Sequence, residues 1–393
     1  MAKEIIISVY LFVFRILFNF FKIFPLKRKT VGVATFGDNI FYTMEAMTKL
    51  SNEEMVILKT ASCKYRFNGL NTTVIPFTLR HPIAYVQSIY HLATATTILV
   101  DTYYGFLAAS NFRQDVTCIQ LWHAGGAIKQ FGLLDPSNKV RSQKAIKRFK
   151  QVYSKFDYTV VGSEMMAKTF KESFSLTDNR ILRTGIPRSD VLFDYSMKEH
   201  VYNEMVEKHP SIKDKKIILY APTFRSNQLS NYQSQLNIDK LYRELSDEYV
   251  LFIKPHPAIT YKISEQYEGF VYDVSDFYDT NQLLLIVDLL ITDYSSIPFE
   301  FALLQKPMVF FAYDMEEYRI KSGLISDYEH QVPGPVVFST EAIILAIKNN
   351  KFDYKRIQEF ANTWNEYSKG NSSIHLAKYI TRTEETKKEK VII

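Results

Sequence analysis

The chain of 393 residues carries only two cysteines, Cys63 and Cys118. They form no Cys-x-x-Cys pair and have no cluster of Cys or His around them, so neither a zinc site nor a disulfide framework is expected. Two reduced thiols are expected instead, with Cys118 inside a strand-like run and therefore in a core. Other signatures are missing too: no Asp-x-Asp pair, no Walker or Rossmann glycine motif and no Gly-x-Ser-x-Gly elbow occurs. Those absences argue against metal-dependent nucleotide-sugar transfer, P-loop chemistry and serine hydrolysis, and no metal or cofactor is expected. The formal charge of +6 is modest and comes with no RNA- or DNA-binding motif. Phosphate ligands or acidic lipid headgroups, not nucleic acid, are the partners it suits.

An apolar fraction of 47% excludes disorder. Residues 5–24 form an apolar stretch long enough to span a bilayer, but Arg15 interrupts it. A cation at that depth costs roughly 2.5–3.5 kcal/mol on insertion scales. Glu4, Ser8, Arg15, Asn19 and Lys22 fall at spacings that gather them into one narrow helical stripe. The expectation is therefore an amphipathic helix lying in the membrane interface, stopped by Pro25 and followed by the basic run Lys27, Arg28 and Lys29. Apolar burial plus basic charge is the two-signal arrangement that anchors a protein to a membrane surface, with Arg15, Lys22, Lys27, Arg28 and Lys29 as the basic contacts. The alternative is a helix packed on the protein. A secretory signal fits poorly, because the basic residues follow the apolar run instead of preceding it.

From residue 31 onward, short β-branched runs alternate with helical patterns. The predicted strands are 31–35, 55–58, 97–100, 117–122, 158–161 and a weak 180–184, then 216–220, 250–254, 270–273, 288–292 and 308–311. Near-continuous apolar strands separated by helices indicate parallel sheets covered on both faces. The reading is an α/β chain of two Rossmann-like domains facing a cleft: 1–29 a membrane-associating segment, 30–207 the first domain, 208–365 the second, and 366–393 a helix and charged tail.

Ligands of open α/β sheets bind outside the carboxyl ends of the strands, and the polar motifs gather there. The run 117–122 ends in His123, then Gly125, Gly126 and Lys129. A histidine at a strand tip can take a proton from an attacking hydroxyl, and glycines let a backbone approach a ligand closely. The run 180–184 leads to Arg188, which can fork onto a phosphate or pair with Asp190. The run 216–220 leads to Thr223 and Arg225, and 250–254 ends in Lys254-Pro255-His256-Pro257; these cations and the hydroxyl suit a diphosphate. The run 288–292 passes through Asp293-Tyr294 to Ser295-Ser296 and a helix start, a geometry that offers backbone N–H groups and a positive dipole end to phosphate, or plain capping by one serine. Glu300 on that helix is placed to reach a ribose hydroxyl.

LWHAGGAIKQFG, TGIPRSD, APTFR, KPHP and TDYSSIPFEFALLQKP, in this order over roughly residues 30–365, resemble the CDP-glycerol glycerophosphotransferase family of Gram-positive wall teichoic acid synthesis. The resemblance implies a GT-B-like fold with CDP-glycerol mainly on the second domain and the acceptor on the first. It implies His123 as catalytic base, His256 as a catalytic diphosphate contact, and Arg225, Ser295 and Ser296 in the donor site, to which the strand-end reading adds Arg188, Thr223, Lys254 and Glu300. Gly125, Gly126 and Lys129 fall on the acceptor side. The short chain and the wording AGGAIKQFG are most similar to the family's primases. Those add the first glycerol phosphate to a ManNAc–GlcNAc disaccharide on undecaprenyl diphosphate, releasing CMP at the cytoplasmic face of the membrane, with other teichoic acid enzymes as candidate partners. A second-unit transferase, a short polymerase and a GT-B enzyme using a nucleotide sugar are the alternatives.

Overall fold

The structure, a computed structural model, describes residues 2–223, 225, 235–255, 263–277, 279–325 and 327–391. Among them are two wholly parallel sheets, each in its own compact unit. One unit comprises residues 1–123, 131–190 and 367–393, the other 124–130 and 191–366.

The first sheet has the order β3-β2-β1-β4-β5-β6-β7. Its strands are β1 Lys27–Ala34, β2 Glu54–Lys59, β3 Thr73–Pro76, β4 Ala95–Val100, β5 Thr117–Gln120, β6 Tyr158–Val160 and β7 Ile181–Leu182. The second runs β10-β9-β8-β11-β12-β13, from β8 Lys216–Ala221, β9 Tyr249–Ile253, β10 Val271–Asp273, β11 Leu289–Thr292, β12 Met308–Phe311 and β13 Val336–Val337. Both are doubly wound. Strand order reverses between β1 and β4 in one sheet and between β8 and β11 in the other, and such switch points open a crevice at the carboxyl ends. The predicted strands are all present within a few residues. β3 and the two-residue β13 were not predicted, because each is an edge strand too short to show a pattern.

Domain limits differ from expectation in three places. The helix Ser372–Val391 is no separate tail: Leu376, Ala377 and Ile380 lie in the first core with Ile40, Met44 and Leu99. The switch between units falls at residue 190, not 207, because Asp190 accepts the backbone N–H groups of Ser372 and Ser373 (2.9 and 2.7 Å) and so belongs to the first unit. Residues 124–130, directly after His123, belong to the second unit.

Helix α1, Ala2–Phe21, is docked on the first unit by one face. Phe14 and Phe18 are each 1% exposed. Phe14 packs on Phe106 and Phe18 on Phe112. Glu4 makes a two-pronged ion pair with Arg148 of α4, Gln143–Tyr153. Tyr10 shares a 2.7 Å hydroxyl bond with Tyr85 of α3, Pro82–Thr94. The opposite face is bare: Ile5, Val9, Phe12, Ile16 and Phe20 are all exposed, Phe12 by 64%. The helix thus packs on the protein and still presents an apolar face, so the two readings of this segment are not exclusive.

The basic run that follows requires correction. Residues 27–29 open β1 and do not form a surface cluster. Lys29 is fully buried, its Nζ held by Thr94 Oγ1 at 2.9 Å and His91 Nδ1 at 3.2 Å. Burial lowers its pKa to about 8. Arg28 lies near Glu53, and Lys22 donates to the Asn111 carbonyl (2.8 Å). Arg15 and Lys27 stay exposed.

Candidate functional site

At the first switch point the ends of β1 and β4 meet. Asp101, the first residue past β4, is buried and accepts from the backbone N–H groups of Thr35, Phe36 and Gly37 (2.8–3.1 Å) and from Tyr104 Oη at 2.7 Å. Burial raises its carboxyl to about 6 while those donors pull it down. The loop it secures needs Gly37, whose φ is +96° and where a Cβ would stand 2.7 Å from Tyr65 Cβ.

That loop forms one wall of the His123 site. The Phe36 ring stacks on the imidazole at 4.0 Å between centroids and 6° between planes. Trp122 flanks the ring at 4.4 Å and carries a left-handed φ of 59°, uncommon for a bulky residue and a mark of backbone strain at a functional position. The Asp101 carbonyl lies 3.0 Å from His123 Nδ1. A carbonyl only accepts, so Nδ1 carries the proton and Nε2 keeps its lone pair. Burial, with the nearby Arg188 guanidinium, lowers the imidazole pKa to about 4 against the pull of the Asp101 carbonyl and Asp38. The ring is neutral at pH 7 in the tautomer a general base needs, while the residue retains partial exposure.

Arg188 is part of this first site. Its Nη1 bonds Asp38 at 2.8 Å and its backbone N–H bonds Asn39 Oδ1 at 2.9 Å, while Asn39 Nδ2 donates to the Trp122 carbonyl at 3.0 Å. Asp190 is not its partner, being the acceptor for Ser372 and Ser373. The structure places Arg188 in the first unit, close enough to His123 to depress its pKa.

At the second switch point, between β8 and β11, a guanidinium takes the central place. Arg225 is 9% exposed. It donates from Nε and Nη2 to both oxygens of Asp314 (2.8 and 3.0 Å), from Nη2 to Asp293 at 3.0 Å, and from Nη1 to the Thr223 carbonyl at 2.6 Å. Tyr294, Tyr313 and Tyr318 surround it with ring centroids at 5.1, 5.8 and 4.7 Å. Its donors point at two carboxylates and a backbone carbonyl, so Arg225 holds the crevice together. Asp293 Oδ1 also accepts the Thr223 and Tyr294 N–H groups at 2.7 and 2.6 Å, fixing both strand ends.

Lys254, just past β9, donates to the carbonyls of Val274 and Phe277 (3.3 and 2.6 Å). Burial lowers its pKa to about 8 against Asp279, Asp273 and Asp276. His256 lies outside the described residues. Ser295 Oγ accepts the Ile297 N–H at 3.2 Å, while Ser296 makes no side-chain cap of the helix Ile297–Phe301; both serines are partly exposed. Glu300 is buried, with Oε1 accepting the Gly125 N–H at 3.2 Å.

The two glycines after His123 serve packing within the second unit. A Cβ on Gly126 would stand 2.3 Å from the Phe299 ring, and one on Gly125 3.2 Å from Glu300 Oε1. Lys129 bonds Tyr318 Oη at 3.0 Å and pairs antiparallel with Leu324. Among the described residues no group of three His, Cys, Asp or Glu side chains could hold a metal ion. Sequence reading missed Asp101, Phe36, Asp293 and Asp314. Asp101 and Asp293 were open to the strand-end rule that found His123.

The chain is similar to known proteins in sequence and in fold. The family described as CDP-glycerol:poly(glycerophosphate) glycerophosphotransferase matches residues 18–382. The teichoic acid glycerol-phosphate primase of Bacillus subtilis is 41% identical over 302 residues, 77% of each chain. The ribitol-phosphate polymerase TarL of Staphylococcus aureus is 32% identical over 382 residues, 93% of this chain and 65% of that one. The solved structure of the wall teichoic acid polymerase TagF superposes with a TM-score of 0.80 at 22% identity, over 98% of this chain and 99% of that one, a likeness of fold. The chain belongs to the CDP-glycerol:poly(glycerophosphate) glycerophosphotransferase family and is a glycerophosphotransferase of wall teichoic acid synthesis.

Proposed function

We propose that this chain is a primase: it moves one glycerol phosphate from CDP-glycerol to a disaccharide on undecaprenyl diphosphate and releases CMP. His123 Nε2 takes the proton of the acceptor hydroxyl. The freed oxygen attacks the β-phosphorus, the bond from that phosphorus to the bridging oxygen breaks, and CMP leaves with its electron pair. Lys254, His256 and the Ser295–Ser296 turn carry the phosphate charge, with no divalent cation assigned. Thr223 is tied to Asp293 through its backbone N–H, and Arg225 shapes the crevice through Asp293 and Asp314. The enzyme works as a peripheral protein at the cytoplasmic membrane face, with the bare side of α1 against lipid.

One observation carries the choice of step. Glycerol-phosphate primases of Bacillus subtilis and Bacillus spizizenii are 41% and 38% identical to this chain and match over 77% and 82% of their own length. The test is product mass. Purified full chain, CDP-glycerol and a synthetic lipid-linked disaccharide, in EDTA, yield acceptor plus a single glycerol phosphate; a ladder of additions, or release of UDP from UDP-sugars, overturns the reading.

A further inference from the structure

A cavity of ≈ 300 Å³ opens in the first unit at the carboxyl ends of β2 and β3, and no role above uses it. Its basic lining is Lys59, Arg80 and His81; Thr60 and Thr78 add hydroxyls, and no acidic residue lines it. Lys59 gives one of its three donors to the Tyr65 carbonyl at 2.8 Å. The Arg80 and His81 side chains are at the exposed rim.

Two neighbours give the cavity its meaning. On one side it shares a wall with the His123 site. Thr60 Oγ1 is 3.1 Å from Thr35 Oγ1, and Cys63 Sγ donates to the Phe36 carbonyl at 3.8 Å. That is the loop whose Phe36 ring covers the imidazole. On the other side its rim runs into bare apolar surface: Leu79 is 66% and Ile83 86% exposed. Ile83 lies on α3, which pairs with α1 through Tyr85–Tyr10 and packs Tyr90 against Phe21 and Phe24. Apolar surface, basic cavity and base therefore follow one another within a single unit.

A molecule that fits this sequence has a hydrocarbon chain, then a diphosphate, then a hydroxyl-bearing head. We infer that the Lys59–Arg80–His81 cavity holds the diphosphate of the lipid-linked acceptor, with the lipid leaving over Leu79 and Ile83. The inference rests on the proposed acceptor class. It adds a binding site to it, and it makes the apolar plane of α1 and α3 the place where that lipid enters.

The experiment separates the cavity from the reaction. Full-length chain without CDP-glycerol is titrated with farnesyl diphosphate, with inorganic pyrophosphate and with phosphatidylglycerol vesicles. Farnesyl diphosphate binds, pyrophosphate binds more weakly, and Arg80→Gln and Lys59→Gln each weaken both by roughly tenfold, the scale of one charge-assisted hydrogen bond. Arg80→Lys restores part of the loss. In turnover assays the same variants raise KM for the lipid-linked acceptor by a similar factor and leave CDP-glycerol affinity unmoved. Because the Arg80 side chain is exposed, its variant keeps the wild-type Tm. Equal farnesyl diphosphate binding by wild type and the Arg80→Gln/Lys59→Gln double variant overturns the inference, as does loss of vesicle binding alone. Should the chain fail to transfer to the disaccharide while the variants still lose diphosphate binding, the cavity stands and the primase reading falls.

Discussion

Both switch points are built on carboxylates, but they give them different partners. In the first unit a buried carboxylate, Asp101, collects backbone N–H groups and passes its own carbonyl to a neutral imidazole. In the second unit two carboxylates, Asp293 and Asp314, hold a guanidinium among three tyrosines. The first arrangement keeps a lone pair available at low charge, which suits proton removal. The second commits its guanidinium to two carboxylates and a carbonyl, which fixes the strand ends rigidly and leaves phosphate charge to other groups. One sheet holds a neutral imidazole at its tip and the other a rigid ion cluster.

That division can be broken most severely at His123. His123→Ala is expected to cut turnover by about 10²–10⁴, the usual contribution of a positioned general base, while CDP-glycerol affinity by calorimetry stays within twofold. A parallel loss of donor affinity would merge the two roles. Next comes Arg225. Arg225→Ala leaves the buried Asp293 and the half-buried Asp314 without their cation, and breaking a buried pair costs about 3–5 kcal/mol. Denaturant unfolding should register that loss, and Arg225→Met/Asp314→Leu should recover much of it. A neutral Arg225→Ala would mean that the network is not what holds the crevice.

The smallest effect concerns Lys254, which burial holds at about 8. The folded site disfavours its charged form, so above pH 8 the ammonium is lost and a phosphate contact with it. Donor affinity should fall a few-fold between pH 7 and 9 in the wild type and stay level in Lys254→Arg, because a guanidinium remains charged throughout. A level wild-type profile would remove Lys254 from the donor site.

Much of this was legible before any coordinates. Parallel, doubly wound sheets followed from buried β-branched runs, and His123 from its place at the tip of one of them. What escaped were the carboxylates. Asp101 stands at a strand tip just as His123 does, but an acid beside an anionic substrate invites no functional reading until its donors are visible, and these come from a loop 64–66 residues away. Asp314 is 89 residues from Arg225, so nothing local pairs them. The glycines after His123 suit a close ligand as well as a close-packed ring, and composition does not distinguish a ligand from Phe299. Lys29 joined a basic cluster on paper, yet the start of β1 turns its side chain inward to Thr94 and His91.

The most direct test is the protonation state of His123 itself, followed by ¹⁵N NMR of the imidazole in the ligand-free chain. The ring should remain neutral, with its proton on Nδ1, from pH 8 down to about 4. The unfolded chain takes up this proton near pH 6.5, so stability from this group is present above pH 6.5 and declines as pH falls toward 4. A midpoint at 6.5 in the folded protein, or a proton on Nε2, would contradict a base made ready by the Asp101 carbonyl.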